Sequence, residues 1–295
     1  MTDSLPMTIS TLSRAQRTSI MNLVRRASRS EIMPRFRKLD AADIGEKTSR
    51  QDLVTEADRA AEAMIARGLV TLFPNALIIG EENVSVNPEV LDGIPEAELA
   101  FTIDPVDGTW NYAHGLSIFG VIISALRFGV PVFGLLYDPV MDDFIVAQDG
   151  EGAEMIMPKR RIRRTVSVSA GGAVEDLSGY IGLYNFPKDK QAQLAAVLPR
   201  FERAYSIRCT AHEARMFAEG HVDFMISAKL TPWDHAAGAL IGKCAGGHVA
   251  MLDGSDYRAQ TREGYLLAAS DAATWGRVRD VLSFLLDAPD ETAKA

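Results

Sequence analysis

Two aspartates, Asp104 and Asp107, flank Pro105 and Val106 in FTIDPVDGTWNY (101–112), directly after a short apolar run. Phe101, Thr102 and Ile103 read as a strand end, Asp104-Pro105 stops the ladder, and Asp107-Gly108-Thr109 makes a turn, so both carboxylates emerge at a sheet edge. An Asp-Gly pair alone is an ordinary turn. The pattern recurs in LIIGEEN (77–83), where an apolar run meets Gly80 and then Glu81 and Glu82. Asp234, in TPWDHAAGALIG, opens an apolar helical segment, and Asp58, in DLVTEAD, follows Thr55 at the spacing of a capping box. Each of these two has a plain role at a helix start. Jointly the acids offer hard oxygen ligands, the donor type that Mg²⁺ prefers over thiolate or imidazole. Two carboxylates about 4 Å apart repel by roughly 4 kcal/mol at an effective dielectric near 20, so a pocket holding three or four of them calls for a cation.

The elements that must position these acids follow from periodicity. Residues 8–30 and 55–70 read as helices, the second with Ala57, Ala60, Ala61, Met64, Ile65 and Leu69 at helical spacing. Apolar runs at 77–79, 100–103, 119–127, 131–137 and 143–147, broken by Gly, Pro and Asp, suit a meandering, largely antiparallel sheet. Beyond PKRRIRR, helices near 189–198, 211–219, 234–244 and 271–286 alternate with strands near 179–184, 222–227, 248–252 and 265–269. That alternation suggests a second lobe, giving lobes 1–155 and 156–295 with a soft boundary and no flexible linker. A layered α/β arrangement covers the apolar faces of both element types.

Composition narrows the function classes. With 295 residues, 47% hydrophobic, the chain can bury a sizeable core, and its net charge of −8 opposes diffuse attraction to nucleic acid or to anionic membrane. The dense basic run KRRIRR (159–164) has no interleaved aromatics and reads as a solvated loop or strand edge, with a polyanion site as the alternative. Cys209 and Cys244 are too few for a disulfide framework and too far apart for a thiolate metal site, which fits a reducing compartment. MTDSLPMTIS lacks the pattern of a secretory leader, no apolar stretch approaches a membrane span, and the expected location is cytoplasmic. No repeat or low-complexity tract occurs, and a disordered tail is expected only at DETAKA. Histidines 114, 212, 221, 235 and 248 lack ligand pairing; Trp110 and Trp233 adjoin motif acids and either wall the site or pack in the core, while Trp275 reads as a helix-face packing residue.

Taken in order, DLVTEAD, GEEN, IDPVDGTWNY and WDHAAGALI resemble the spaced signatures of the inositol monophosphatase family, over about 52–247. The resemblance implies an alternating α-β-α-β-α sandwich of the inositol monophosphatase and fructose-1,6-bisphosphatase type, usually a homodimer, that hydrolyses phosphomonoesters with two or three Mg²⁺ ions. It matches Glu81, Asp104 and the Val106 carbonyl to one metal and Asp104, Asp107 and Asp234 to a second, with Asp104 bridging. Glu82 matches a less central acid near a third, water-rich metal. Gly108 and Thr109 match backbone donors to the phosphate, and Thr109 with Asp58 matches the pair that orients and deprotonates the attacking water.

The chain departs from its relatives on the substrate side. Ser227 stands where typical inositol monophosphatases carry a glutamate that contacts ring hydroxyls, with Lys229 and Thr231 nearby. Losing that carboxylate can redirect preference. An inositol-1-phosphatase-like enzyme for a small polyol or sugar phosphate ranks first. Histidinol phosphate, 3′-phosphoadenosine 5′-phosphate and fructose 1,6-bisphosphate are alternative substrates, and a basic cluster such as Arg160 to Arg164 facing the pocket would favour the bisphosphate nucleotidase. A reading of another class is a non-catalytic metal-binding interaction protein.

Overall fold

A computed structural model describes residues 11–40 and 43–287. The start of the 8–30 helix, MTDSLPMTIS and DETAKA lie outside the described residues. Helix α1 (Arg14–Ala27) begins at Ser13, whose side chain forms a capping box with Gln16, and it continues into a π turn at Ser28–Ile32. A hairpin, β1 (Ile44–Ser49) and β2 (Asp52–Thr55), leads into α2 (Glu56–Leu72).

A seven-stranded sheet follows: β3 (Leu77–Gly80), β4 (Ala100–Asp107), β5 (Gly120–Arg127), β6 (Val130–Asp138), β7 (Asp143–Gln148), β8 (Glu154–Met157) and β9 (Ile162–Thr165), in that spatial order. Only β3 and β4 pair in parallel; the rest meander antiparallel, as the turn-broken apolar runs suggest as far as β7, while β8 and β9 extend the sheet beyond those runs. Short helices α3 (Glu81–Val86) and α4 (Thr109–Ala113) leave the ends of β3 and β4. The soft boundary at residue 155 falls within β8, and this sheet runs on to Thr165.

The second sheet contains β10 (Ser178–Ile181), β11 (Arg203–Tyr205), β12 (Phe224–Ser227), β13 (His248–Met251) and β14 (Leu266–Ala269), in the order β11-β10-β12-β14-β13. Helices α5 (Lys188–Val197), α6 (Thr210–Ala218) and α7 (Pro232–Cys244) connect its strands, and α8 (Ala272–Leu282) follows β14.

Five layers result, as the resemblance implies. Alternate residues of the first sheet, including Phe101, Ile103 and Ile123, pack on Ile20, Leu23, Ile65 and Leu69 of α1 and α2. The opposite residues Ile122, Leu136 and Ile145 pack on Ala211, Ala214, Ala237 and Ile241 of α6 and α7. Those helices also cover one face of the second sheet through Phe217, Ala236 and Ala239, while Leu194, Trp275, Val278 and Leu282 of α5 and α8 cover the other. Covered on both sides, α7 is apolar almost all round after its first turn. Trp275 is a packing residue, its indole N–H donating to the Leu267 carbonyl at 3.1 Å.

A candidate metal and phosphate site at two strand ends

Because β3 and β4 run in parallel with Gly80 opposite Ile103, both strands deliver their following residues to one edge of the sheet. In a regular strand, residues three apart point to opposite faces. Between Asp104 and Asp107 the pairing of β4 with β5 slips: Asp104 faces Ile122, and Asp107 faces Gly120. The extra residue, next to a proline that cannot donate to the ladder, turns the two carboxylates to one side. The first turn of α7, between the sheets, supplies Asp234.

Carboxylate oxygens of Asp104, Asp107 and Asp234 all lie within 4.8 Å of one another. At that separation each ionised pair repels by about 3.5 kcal/mol or more at an effective dielectric near 20. Burial and the charges of Glu81, Asp107 and Asp234 push Asp104 far above the ordinary carboxylate range. Burial and Asp234 lift Asp107 to about 7, although its Oδ2 accepts the Ala211 N–H at 2.5 Å and the Cys209 thiol at 3.1 Å. Thr231 donates its hydroxyl to Asp234, so the segment expected to shape the pocket holds a member of the cluster. An all-oxygen set whose charges oppose each other, with no imidazole among them, fits a hard divalent cation.

Glu81 joins the same electrostatic unit without belonging to the tight trio. Burial, with Asp234 and Glu82 adding to it and Lys47 opposing, lifts its pKa to about 8. Nothing in the sequence marked Lys47. It lies on β1, and its Nζ is 2.8 Å from Glu81 Oε1 and 2.5 Å from Glu82 Oε1. Burial alone would lower the Lys47 pKa, but the two glutamates raise it above its ordinary value.

Asp58 is fully buried and touches both Thr55 and Thr109. Its Oδ2 accepts the Thr55 N–H at 2.8 Å and the Thr55 hydroxyl at 2.5 Å, completing the helix cap, while Oδ1 faces the Thr109 hydroxyl at 3.3 Å. Burial raises its pKa to about 6. The Thr109 hydroxyl also lies 3.0 Å from the Val106 carbonyl. Gly108 has φ +83°, and a Cβ there would stand 2.9 Å from the Ile118 carbonyl oxygen, so this turn requires glycine.

The remaining residues divide between the rim and distant surfaces. Ser227, at the end of β12, lines a small cavity with Thr210, Asp234 and His235. Trp110 is half-buried, with Arg208 stacked on it at 4.2 Å and His114 at 4.1 Å; Arg208 also donates to Gln51 Oε1 at 2.9 Å, tying the β1–β2 turn to α4. Trp233 packs against the apolar cluster under the second sheet. His114, His212 and His235 each bond a backbone carbonyl. Cys209 and Cys244 are unpaired thiols. Within KRRIRR, Lys159 approaches Asp142 at 3.6 Å, Arg163 pairs with Glu154 and Arg164 with Glu219, on the edge strand β9 and the turn before it. Five strand spacings, about 24 Å along the sheet, separate β9 from β4. No described helix is long and apolar enough to cross a membrane.

Comparison with known proteins bears on this geometry. A model of the inositol monophosphatase family matches residues 14–282. The fructose-1,6-bisphosphatase/inositol-1-monophosphatase of Thermotoga maritima is 30% identical over 217 residues, covering 74% of this chain and 78% of that protein. Nus factor SuhB of Escherichia coli K12 is 30% identical over 286 residues, covering 94% and 98%. Among solved structures, a Thermotoga maritima IMPase superposes with a TM-score of 0.75 at 25% identity, over 92% of this chain and 99% of that one.

Proposed function

Since the chain belongs to the inositol monophosphatase family and is a phosphoric monoester hydrolase, we propose that it is a Mg²⁺-dependent enzyme acting on a small polyol or sugar phosphate, inositol-1-phosphatase-like. The observation that carries this reading is the meeting of Asp104, Asp107 and Asp234 with Glu81 at the strand ends, beside the Asp58–Thr109 pair.

In this reading Glu81, Asp104 and the Val106 carbonyl would hold one ion, Asp104, Asp107 and Asp234 would hold a second, and Glu82 would border a third. Bound Mg²⁺ supplies positive charge that lowers the pKa of the attacking water and neutralises the leaving alkoxide. The chain's own groups do the positioning that an in-line displacement needs. Backbone N–H groups of Gly108 and Thr109 hold phosphate oxygens in the tight turn that glycine permits. The Thr109 hydroxyl orients the water and passes its proton toward Asp58, whose pKa of about 6 suits a base near neutral pH. No covalent phosphoenzyme is required.

Ser227 beside Asp234 supports a substrate preference different from one built on a glutamate at that position. Histidinol phosphate and fructose 1,6-bisphosphate remain alternatives, the second because the Thermotoga maritima relative carries both activities in its name. The distance of Arg160 to Arg164 from β4 speaks against their meeting the second phosphate of a 3′(2′),5′-bisphosphate nucleotide. A homodimer and a cytoplasmic location complete the reading. The test is phosphate release from inositol 1-phosphate, histidinol phosphate, 3′-phosphoadenosine 5′-phosphate and fructose 1,6-bisphosphate, with and without Mg²⁺. A monophosphate should be turned over fastest and only with the metal. No Mg²⁺-dependent release from these or from an aryl phosphate would favour a non-catalytic metal-binding interaction protein.

A further inference from the structure

We propose that Glu62 is a positioning residue for the metal-binding acids, its carboxylate fixing from α2 the backbone that carries Glu81 and Glu82, and that Gly80 is glycine to make room for it. The inference rests on the metal-site reading of Glu81. Glu62 is 7% exposed. Its Oε2 accepts the Glu82 N–H at 2.7 Å and its Oε1 accepts the Asn83 N–H at 2.9 Å. Helix α3 therefore starts without a capping side chain of its own: the residue at its cap position, Gly80, has none, and two of its orphan N–H groups, those of Glu82 and Asn83, are satisfied from about twenty positions upstream.

The glycine is explained by contact and not by conformation. Gly80 has φ −98° and ψ 147°, which any residue adopts. A Cβ there would fall 2.1 Å from Glu62 Cδ and 2.3 and 2.4 Å from its two oxygens. A serine or aspartate at position 80 would be the ordinary local cap and would avoid burying a distant carboxylate. The remote arrangement does something a local cap cannot: it ties α3 to α2. Glu62 stands one turn after Asp58 on the same face of α2, so that face holds both exits, Asp58 meeting Thr109 beyond β4 and Glu62 meeting the first turn beyond β3. Lys47 holds the side chains of Glu81 and Glu82, while Glu62 restrains the backbone at Glu82 and Asn83. Partners that orient metal ligands in this way typically change metal affinity 10- to 100-fold when removed.

The test measures Mg²⁺ binding to the whole protein by calorimetry without substrate, beside kcat and the thermal midpoint. Glu62→Gln keeps the shape but turns an amide N–H₂ toward a backbone N–H. It should weaken Mg²⁺ binding about tenfold or more, while kcat at saturating Mg²⁺ stays within about threefold of wild type. Gly80→Ala alone should weaken binding similarly and lower the midpoint. In Glu62→Ala/Gly80→Ala the new methyl occupies vacated space, so the double variant should melt no lower than Glu62→Ala, yet still bind Mg²⁺ weakly. Mg²⁺ affinity within twofold of wild type in Glu62→Gln and in the double variant would reduce Glu62 to a plain structural cap and overturn the inference. Wild-type protein that takes up no Mg²⁺ would remove the metal-site reading itself, a failure visible before any variant is made.

Discussion

Asp142, in the turn between β6 and β7, and Asp104, at the bulge within β4, are each 2% exposed, yet their surroundings treat the charge in opposite ways. Arg25 grips Asp142 with Nε at 2.7 Å and Nη2 at 2.8 Å, Arg29 adds a bond at 2.9 Å, and the Tyr137 hydroxyl another at 2.9 Å. Burial would raise the Asp142 pKa, but these partners hold it well below the usual carboxylate range. Asp104 has acids for neighbours, and burial together with Glu81, Asp107 and Asp234 drives its pKa up. The first site carries its own counter-charge and braces the fold. The second leaves its counter-charge to be supplied, which is how a binding site differs from a structural ion pair at equal burial.

The largest expected effect separates the two sites by activity. Asp104→Asn should cut turnover on the order of 10³-fold, about 4 kcal/mol of barrier, while the metal-free protein stays folded, because the amide needs neither a proton nor a counter-charge among the neighbouring acids. A variant keeping a tenth of the wild-type rate would end the idea that Asp104 bridges two ions.

Next in size is the pH response of metal-free protein. A carboxyl with a raised folded pKa binds its proton more tightly folded than unfolded, so its contribution is present below the unfolded value near 4 and drains away as pH climbs. With Asp107 at about 7 and Glu81 at about 8, stability in chelator should fall between about pH 4 and pH 8, by roughly 1.4 kcal/mol for every tenfold change in one group's proton affinity. Asp142, with its lowered pKa, has the opposite sign: its contribution is present above about pH 4 and lost on acidification. Urea melts across pH in chelator read both limbs. A stability that rises from pH 5 to 8 without metal would break the contrast.

Mg²⁺ should cancel the alkaline limb. At a hundred times its dissociation constant it should add about 2.7 kcal/mol, a rise of roughly 4 °C in the thermal midpoint, and Asp104→Asn should lose most of that rise. Equal midpoints with and without millimolar Mg²⁺ would remove the claim that the acids await a cation.

Asp142→Asn should act on the fold alone, costing about 2 kcal/mol in urea melts, because its two arginines keep access to water and so lose less than a fully buried pair would. Its Mg²⁺-induced midpoint rise should match wild type. The smallest change is Lys159→Ala. That lysine is 63% exposed at 3.6 Å from Asp142, and its loss should stay within about 0.5 kcal/mol.

Much of the site was legible because the acids sit at punctuation points. A Gly after an apolar run ends a strand, and a Thr or Pro before an apolar stretch starts a helix, so Glu81, Asp107, Asp58 and Asp234 were readable as standing at element ends, whereas Asp104-Pro105, expected to stop the ladder, lies inside β4, which stays paired as far as Asp107. The slip in pairing that turns Asp104 and Asp107 to one side was not readable from their spacing, which by strand periodicity alone sets them on opposite faces. The β1–β2 hairpin escaped notice as well, since IGEKTS has no alternating apolar face, and Lys47 was hidden with it. Glu62 left a trace, an acid one turn after Asp58, but its partner Gly80 looked like a strand terminator.

The sequence by itself determined which side chains have the donor chemistry for a hard cation and near which element ends most of them stand, because periodicity, caps and turn residues act between neighbours a few positions apart. Only the tertiary structure decided which charge meets which: Arg25 reaching Asp142 across 117 positions, Lys47 reaching Glu81 across 34, Asp104 facing Asp234. Electrostatic and hydrogen-bond energies depend on ångströms in space, and layer packing sets those distances without leaving a pattern along the chain.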